Sequence, residues 1–326
     1  MSTKTTFPKK AASQPAVNRL ADDFGHDDCN EILLRYLGAA LAGNTLRAYA
    51  ADLRHFLASG GTIPATPKSV ATYLAQFAQS HRSSTLSRRV VAIGRAHRLA
   101  GYPSPTDDPL VRGTMQGIRR IVGSAVLQVA PVQKIELLQM VKGLKGIRGL
   151  RDRALLLIGF ASALRREELV SLNVEDVCFV EEGALITLRR SKTDQTGQGR
   201  EIAIPRIRGR HDPVRALLEW LAKADITSGA IFRRLSRGDR VLKHRLTGQA
   251  VAMIVKCRAA EAGLDPTRLA GHSLRAGFVT NAARNGASSS SIRRQTGHKS
   301  DGMVQRYIRD TQAFADNPNC YVWRTK

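Results

Sequence analysis

Between Gly123 and Pro131 the helical repeat that runs through the first part of the chain stops. The segment GSAVLQVAP carries no 3.6-residue pattern, follows on a glycine and closes on a proline, so residues 124–131 read as a linker. A break there divides the 326 residues into two lengths, each long enough to bury a core. Upstream, apolar side chains recur at helical spacing behind start signals. Leu46, Tyr49, Leu53, Phe56 and Leu57 follow Asn44; Val70, Tyr73, Leu74 and Phe77 follow Thr66-Pro67; Leu86, Val90, Ile93 and Leu99 follow Ser84; Leu110, Met115, Ile118 and Ile121 follow Pro109. This pattern predicts an all-helical unit over residues 29–123. Residues 1–28, polar and aperiodic, read as a flexible arm.

Downstream the pattern is mixed. Helices are predicted over 132–141 and 150–163, the second almost continuously apolar in Ala154-Leu-Leu-Leu-Ile-Gly-Phe160 and therefore buried. Two β-prone runs, 184–188 and 201–204, flank SKTDQTGQGR, whose Gly and Asp content suits an exposed hairpin tip. Helices resume over 213–224, 248–262 and through 269–310. The fold class expected is mainly α: a helical domain, then a helix-rich α/β domain with a small antiparallel sheet over 132–311, and a C-terminal tail over 312–326.

The charge says what such a chain meets. Lys and Arg number 51 against 27 Asp and Glu, a formal charge of +24, which implies a polyanionic partner. Arg88, Arg89, Arg95, Arg98, Arg119 and Arg120 fall mostly off the apolar stripes of their helices. As a set they suit a phosphate backbone; singly, each fits an ordinary solvated face. An anionic membrane is the competing partner, but the sequence shows no apolar run of spanning length, no signal-peptide pattern and no single basic amphipathic helix. The four cysteines, Cys29, Cys178, Cys257 and Cys320, lack metal spacing and read as isolated thiols in a reducing, cytoplasmic compartment. No nucleotide-binding glycine loop, HExxH or acidic metal pair is present, so neither cofactor nor metal is expected.

Chemistry gathers in Leu269–Asp310. His272 and Arg275 sit three apart at a helix start, Gly297-His298 closes a short helix, and Ser300 can cap the next, which carries Tyr307. A phenol beside cationic groups is a plausible nucleophile for a phosphodiester; packing with Met303, Val304 and Ile308 is the alternative. Upstream, the buried helix ends in Ala163-Leu-Arg-Arg-Glu-Glu-Leu169, with Arg165 and Glu168 in an R-x-x-E-L pattern, and Lys192 lies on the hairpin.

Arg165-x-x-Glu168-Leu169, Lys192, His272-x-x-Arg275, Gly297-His298 and Tyr307, in that order, resemble the tyrosine site-specific recombinases, or phage integrase family, Cre/Xer-like in layout. The resemblance covers roughly Asn30 to Asp310. It implies a SAM-like core-binding domain and a catalytic domain that clamp duplex DNA, with two protomers on each of two paired sites and a homotetramer exchanging strands through a Holliday junction. Such proteins belong to bacterial cytoplasm or to phages, plasmids and transposons; the tail, with Phe314, Tyr321 and Trp323, either packs on a neighbouring protomer or folds back on its own domain.

Carried over residue by residue, the resemblance implies that Tyr307 attacks the scissile phosphate and forms a 3′-phosphotyrosyl link. Arg165 and Arg275 would hold the non-bridging oxygens, and His272 and His298 complete the pocket. Lys192, or the nearby Lys299, would protonate the leaving 5′ oxygen, and Glu168 would orient its neighbours. Planar guanidiniums suit the task because they meet a phosphate with paired hydrogen bonds and stay protonated. A type IB topoisomerase shares the chemistry without exchanging partners, and a repressor or architectural protein would keep the fold and lose the reaction. One departure is Ala163, where the family usually has glycine; a methyl group is tolerated there unless that backbone takes a positive φ.

Overall fold

A computed structural model describes residues 43–123, 129–189, 199–298 and 300–305. The chain separates into two units, Met1–Leu127 and Gln128–Lys326.

The first unit is built from α1 (Gly43–Ala58), α2 (Pro67–Gln76), α3 (Ser83–Leu99) and α4 (Pro109–Val122). Thr66 accepts a hydrogen bond from the Ser69 backbone N–H and Asp108 from that of Leu110, so both proline-led helices start on side-chain caps. Asn44 lies inside the first turn of α1, and Arg82 rather than a serine precedes α3. Phe56, Val70, Leu74, Leu86, Ile93, Val111 and Met115 form the core.

Arg89 departs from the expected solvated face. It is only 6% exposed, lies 6.0 Å from the ring centroids of both Tyr73 and Phe77, and sits 3.7 Å from the buried carboxylate of Asp52. A helix as closely packed as α3 has room on its inner face for one long stem, provided an anion meets the head; Asp52 is that anion. It also binds Arg88 through both carboxylate oxygens, at 2.7 and 3.0 Å.

The second unit opens with α5 (Lys134–Met140), α6 (Gly146–Ala161) and α7 (Arg166–Ser171). Strands β1 (Val177–Val180), β2 (Gly183–Leu188) and β3 (Arg200–Pro205) form one antiparallel sheet in that order. After α8 (Pro213–Lys223), a hairpin of β4 (Arg233–Leu235) and β5 (Val241–Arg245) leads to α9 (Gly248–Glu261), α10 (Ser273–Arg284) and α11 (Ser289–Thr296); residues 301–305 are again helical. β1 and the β4–β5 pair are absent from the sequence expectation. β4 and β5 are short, rich in Arg and Lys and nowhere fully buried, so they lack the alternation that marks a strand.

α6 is the axis of this unit, with Ala154 through Ile158 all buried and both α8 and α10 packed against it. The end of the stretch read as linker is tied to this unit: Ala130 donates its N–H to Arg268 O at 2.9 Å, and Val132, just beyond that stretch, donates to Ser273 O at 3.0 Å. The chain is therefore fastened to the second unit from Ala130 onward. Val132 approaches α10 so closely that a Cβ at Gly277 would lie 2.0 Å from its carbonyl oxygen. Among the described residues no helix is long and apolar enough to cross a membrane.

Candidate active site

The site is assembled where α6 stops. Ala163 takes φ +50, turning the chain so that Arg165 becomes the N-cap of α7 and the Ala163 carbonyl points inward. The proviso on a methyl group therefore fails: Ala163 is fully buried in a left-handed conformation that costs a non-glycine residue about 1–2 kcal/mol. Glu168, one turn into α7, accepts the Arg165 backbone N–H at 2.9 Å and its Nη1 at 2.6 Å. A single buried carboxylate thus caps the helix and aims the guanidinium.

Arg275 comes from α10 and is 2% exposed. Its Nη1 donates to Ala163 O at 2.6 Å and its Nη2 lies 3.1 Å from His298 Nε2. His298 follows Gly297, which ends α11 with φ +67. His272, exposed at the N-cap of α10, completes the cluster. Although part of the ring reaches solvent, desolvation by the protein packed around it lowers its pKa, and the positive charges of Arg275, Arg165 and Arg166 lower it further. His298 is pushed down to about 4, first by burial and then by Arg275, Arg165, His272 and Arg200. Both imidazoles are neutral at pH 7.

Sequence reasoning missed three contributors. Arg200, on β3, donates Nη1 to Gln295 O at 2.7 Å and lies against Gly297; its buried Nη2 meets no hydrogen-bond acceptor among the described residues. Burial lowers its pKa, but a guanidinium remains charged. Gln295 donates to Ala161 O at 2.9 Å, tying α11 to the end of α6. Thr296 lies 2.7 Å from His298 Nδ1. A polar residue in a helix's last turn ordinarily faces solvent, so only the tertiary contact distinguishes these. Glu168 pairs with Arg165 and acts on Arg200, while Arg275 meets a carbonyl and an imidazole, so among the described residues the pocket is cationic and suited to an anion.

Tyr307 and Lys192 lie outside the described residues, as does the side chain of Lys299. The helix leading toward Tyr307 is anchored by Val304, fully buried with Val279 and Ile292, and by Arg293, which donates to His298 O at 3.3 Å and to Asp301 at 3.0 Å. In the first unit Arg88, Arg98, Arg119 and Arg120 are exposed and Arg95 is half-buried, while Arg119 donates to Ser87 Oγ at 3.1 Å.

A cationic pocket on this helix-rich scaffold, with a small antiparallel sheet, is the arrangement expected of a tyrosine recombinase. The chain belongs to the phage integrase family, whose model matches residues 132–313. It is 40% identical over 294 residues to an integrase/recombinase xerD homolog of Selenomonas ruminantium, covering 87% of this chain and 86% of that one. Two solved structures share the fold. A lambda integrase dimer bound to a COC′ core site has TM-score 0.61 and 16% identity, covering 92% of this chain and 82% of that chain. A lambda integrase tetramer bound to a Holliday junction has TM-score 0.57 and 17% identity, covering 83% and 73%. Enzymes of this family cleave and rejoin DNA.

Proposed function

We propose that the chain is a site-specific recombinase in which Tyr307 attacks the scissile phosphate to give a 3′-phosphotyrosyl intermediate and a free 5′-hydroxyl. The observation that carries this reading is the convergence of Arg165, Arg275 and His298 around the Ala163 turn. Arg165 and Arg275 hold the non-bridging oxygens as negative charge develops, each preorganised donor lowering the barrier by on the order of 3 kcal/mol. His272, neutral at pH 7, accepts the phenolic proton. Lys192, on the β2–β3 connection, protonates the leaving oxygen. The new ester conserves the energy of the broken bond, so a 5′-hydroxyl from a second duplex can reverse the step.

The six arginines singled out in the sequence of the first unit act differently under this reading. Arg88, Arg95, Arg98, Arg119 and Arg120 grip the duplex backbone, whereas Arg89 supports α3 from within. Four protomers exchange strands between two sites through a Holliday junction, as cytoplasmic enzymes of a bacterium or its mobile elements. An apolar cavity of about 800 Å³ in the second unit, lined in part by Leu137, Phe160, Ile207, Phe278 and Ile292, offers a seat for the 312–326 tail, whether a neighbour's or the chain's own.

The test is a nicked duplex carrying the protein's own site, incubated with wild type and Tyr307→Phe and run on a denaturing gel. Wild type is expected to give a covalent adduct and the variant to bind without one. Binding by both with no adduct would leave a DNA-binding protein; in a second assay on supercoiled plasmid carrying two sites, relaxed circles without joined sites would indicate a topoisomerase.

A further inference from the structure

The hydrogen bonds around His298 fix where its proton sits. A guanidinium only donates, so Arg275 Nη2, at 3.1 Å, makes Nε2 the acceptor. A neutral ring with a bare Nε2 carries its hydrogen on Nδ1, and the atom facing Nδ1 is Thr296 Oγ1 at 2.7 Å. Thr296 can accept because its own hydrogen is committed elsewhere: Oγ1 donates to Ile292 O, one turn back in α11, at 2.7 Å. The chain of donors therefore runs in one direction, from Arg275 through His298 and Thr296 to a backbone carbonyl. Thr296 is fully buried and His298 is 8% exposed, so water has little access to replace either partner.

We propose that Thr296 is a positioning residue for strand cleavage, holding His298 as the Nδ1–H tautomer so that the Nε2 lone pair aligns the guanidinium of Arg275. Reversing the tautomer would set two donors, Nε2–H and Nη2–H, against each other and displace the guanidinium from the phosphate it is to meet. The second ring nitrogen thus sets the geometry of a side chain on another helix.

This inference rests on the recombinase reading, and two measurements separate the two. Two-dimensional nitrogen-15 NMR of histidine-labelled full-length protein reports the His298 tautomer without needing catalysis. Nδ1–H is expected in wild type and Nε2–H, or a mixture, in Thr296→Val. On the nicked duplex, Thr296→Val is expected to slow adduct formation about tenfold at unchanged DNA affinity, and Thr296→Ser to recover most of the rate. An Nε2–H tautomer in wild type, or a Thr296→Val enzyme that cleaves at the wild-type rate, would overturn the assignment. Failure of wild type to form any adduct would count instead against the recombinase reading, and the wild-type spectrum would still decide the role of Thr296, even if Thr296→Val did not fold.

Discussion

The position of Arg275 is set from two sides, by a carbonyl turned toward it by the left-handed Ala163 and by an imidazole whose proton is held away from it. The arginines and histidines that the structure brings together were legible in the sequence by type and order, since phosphoryl chemistry demands guanidiniums and imidazoles; the phenol of Tyr307 lies outside the described residues. Their supports were not: Ala163 reads as a harmless methyl until its φ is known, and Thr296 reads as one more polar residue on a short helix. Ala163→Gly removes the strain and is expected to stabilise the second unit by about 1 kcal/mol, raising its melting temperature by roughly 2–4 °C. A lower melting temperature would show that the turn is unstrained. His298 gives a pH test. The unfolded ring takes up a proton near pH 6.5, whereas the folded ring resists to about 4, so its stabilisation is complete above 6.5 and is lost as pH falls through that window. The full effect is roughly 3 kcal/mol. Melting curves of wild type and His298→Gln should therefore converge on acidification; a gap that is independent of pH would contradict the depressed pKa.

Among elements, those announced by start signals and long apolar stripes were readable to within a few residues, as with the helices opened by Pro67, Pro109 and Pro213. The β4–β5 hairpin was not, because tertiary packing rather than its own pattern holds it: Arg245 donates to the carbonyls of Val170 and Leu172. Arg89 was misplaced for a related reason, since helical spacing gives a direction on α3 but not the buried Asp52 that waits there. The junction of Val132 with α10 was equally invisible. Gly277 is required by that approach, and Gly277→Ala, with no space for its methyl, is expected to cost about 1–3 kcal/mol, as overpacking does. Denaturant titration would read this as a lower midpoint at unchanged slope; an unchanged midpoint would mean that α10 and the 130–132 segment are not in contact in solution.

At the scale of the whole molecule, the charge of +24 is the property that most clearly anticipates a nucleic-acid partner. If several basic side chains neutralise phosphates, affinity for duplex DNA should fall on the order of a thousandfold between about 50 and 200 mM salt, read by fluorescence anisotropy; a flat response would point to a partner bound by other means. The two-unit division was legible because periodicity fails between the units, although the second unit claims Ala130 and its neighbours. What decides the account is where DNA becomes attached. Mass spectrometry of the adduct trapped on a nicked duplex should place the phosphodiester on Tyr307 and on no other residue. Attachment at Tyr321, or at any side chain remote from Arg165 and Arg275, would contradict it.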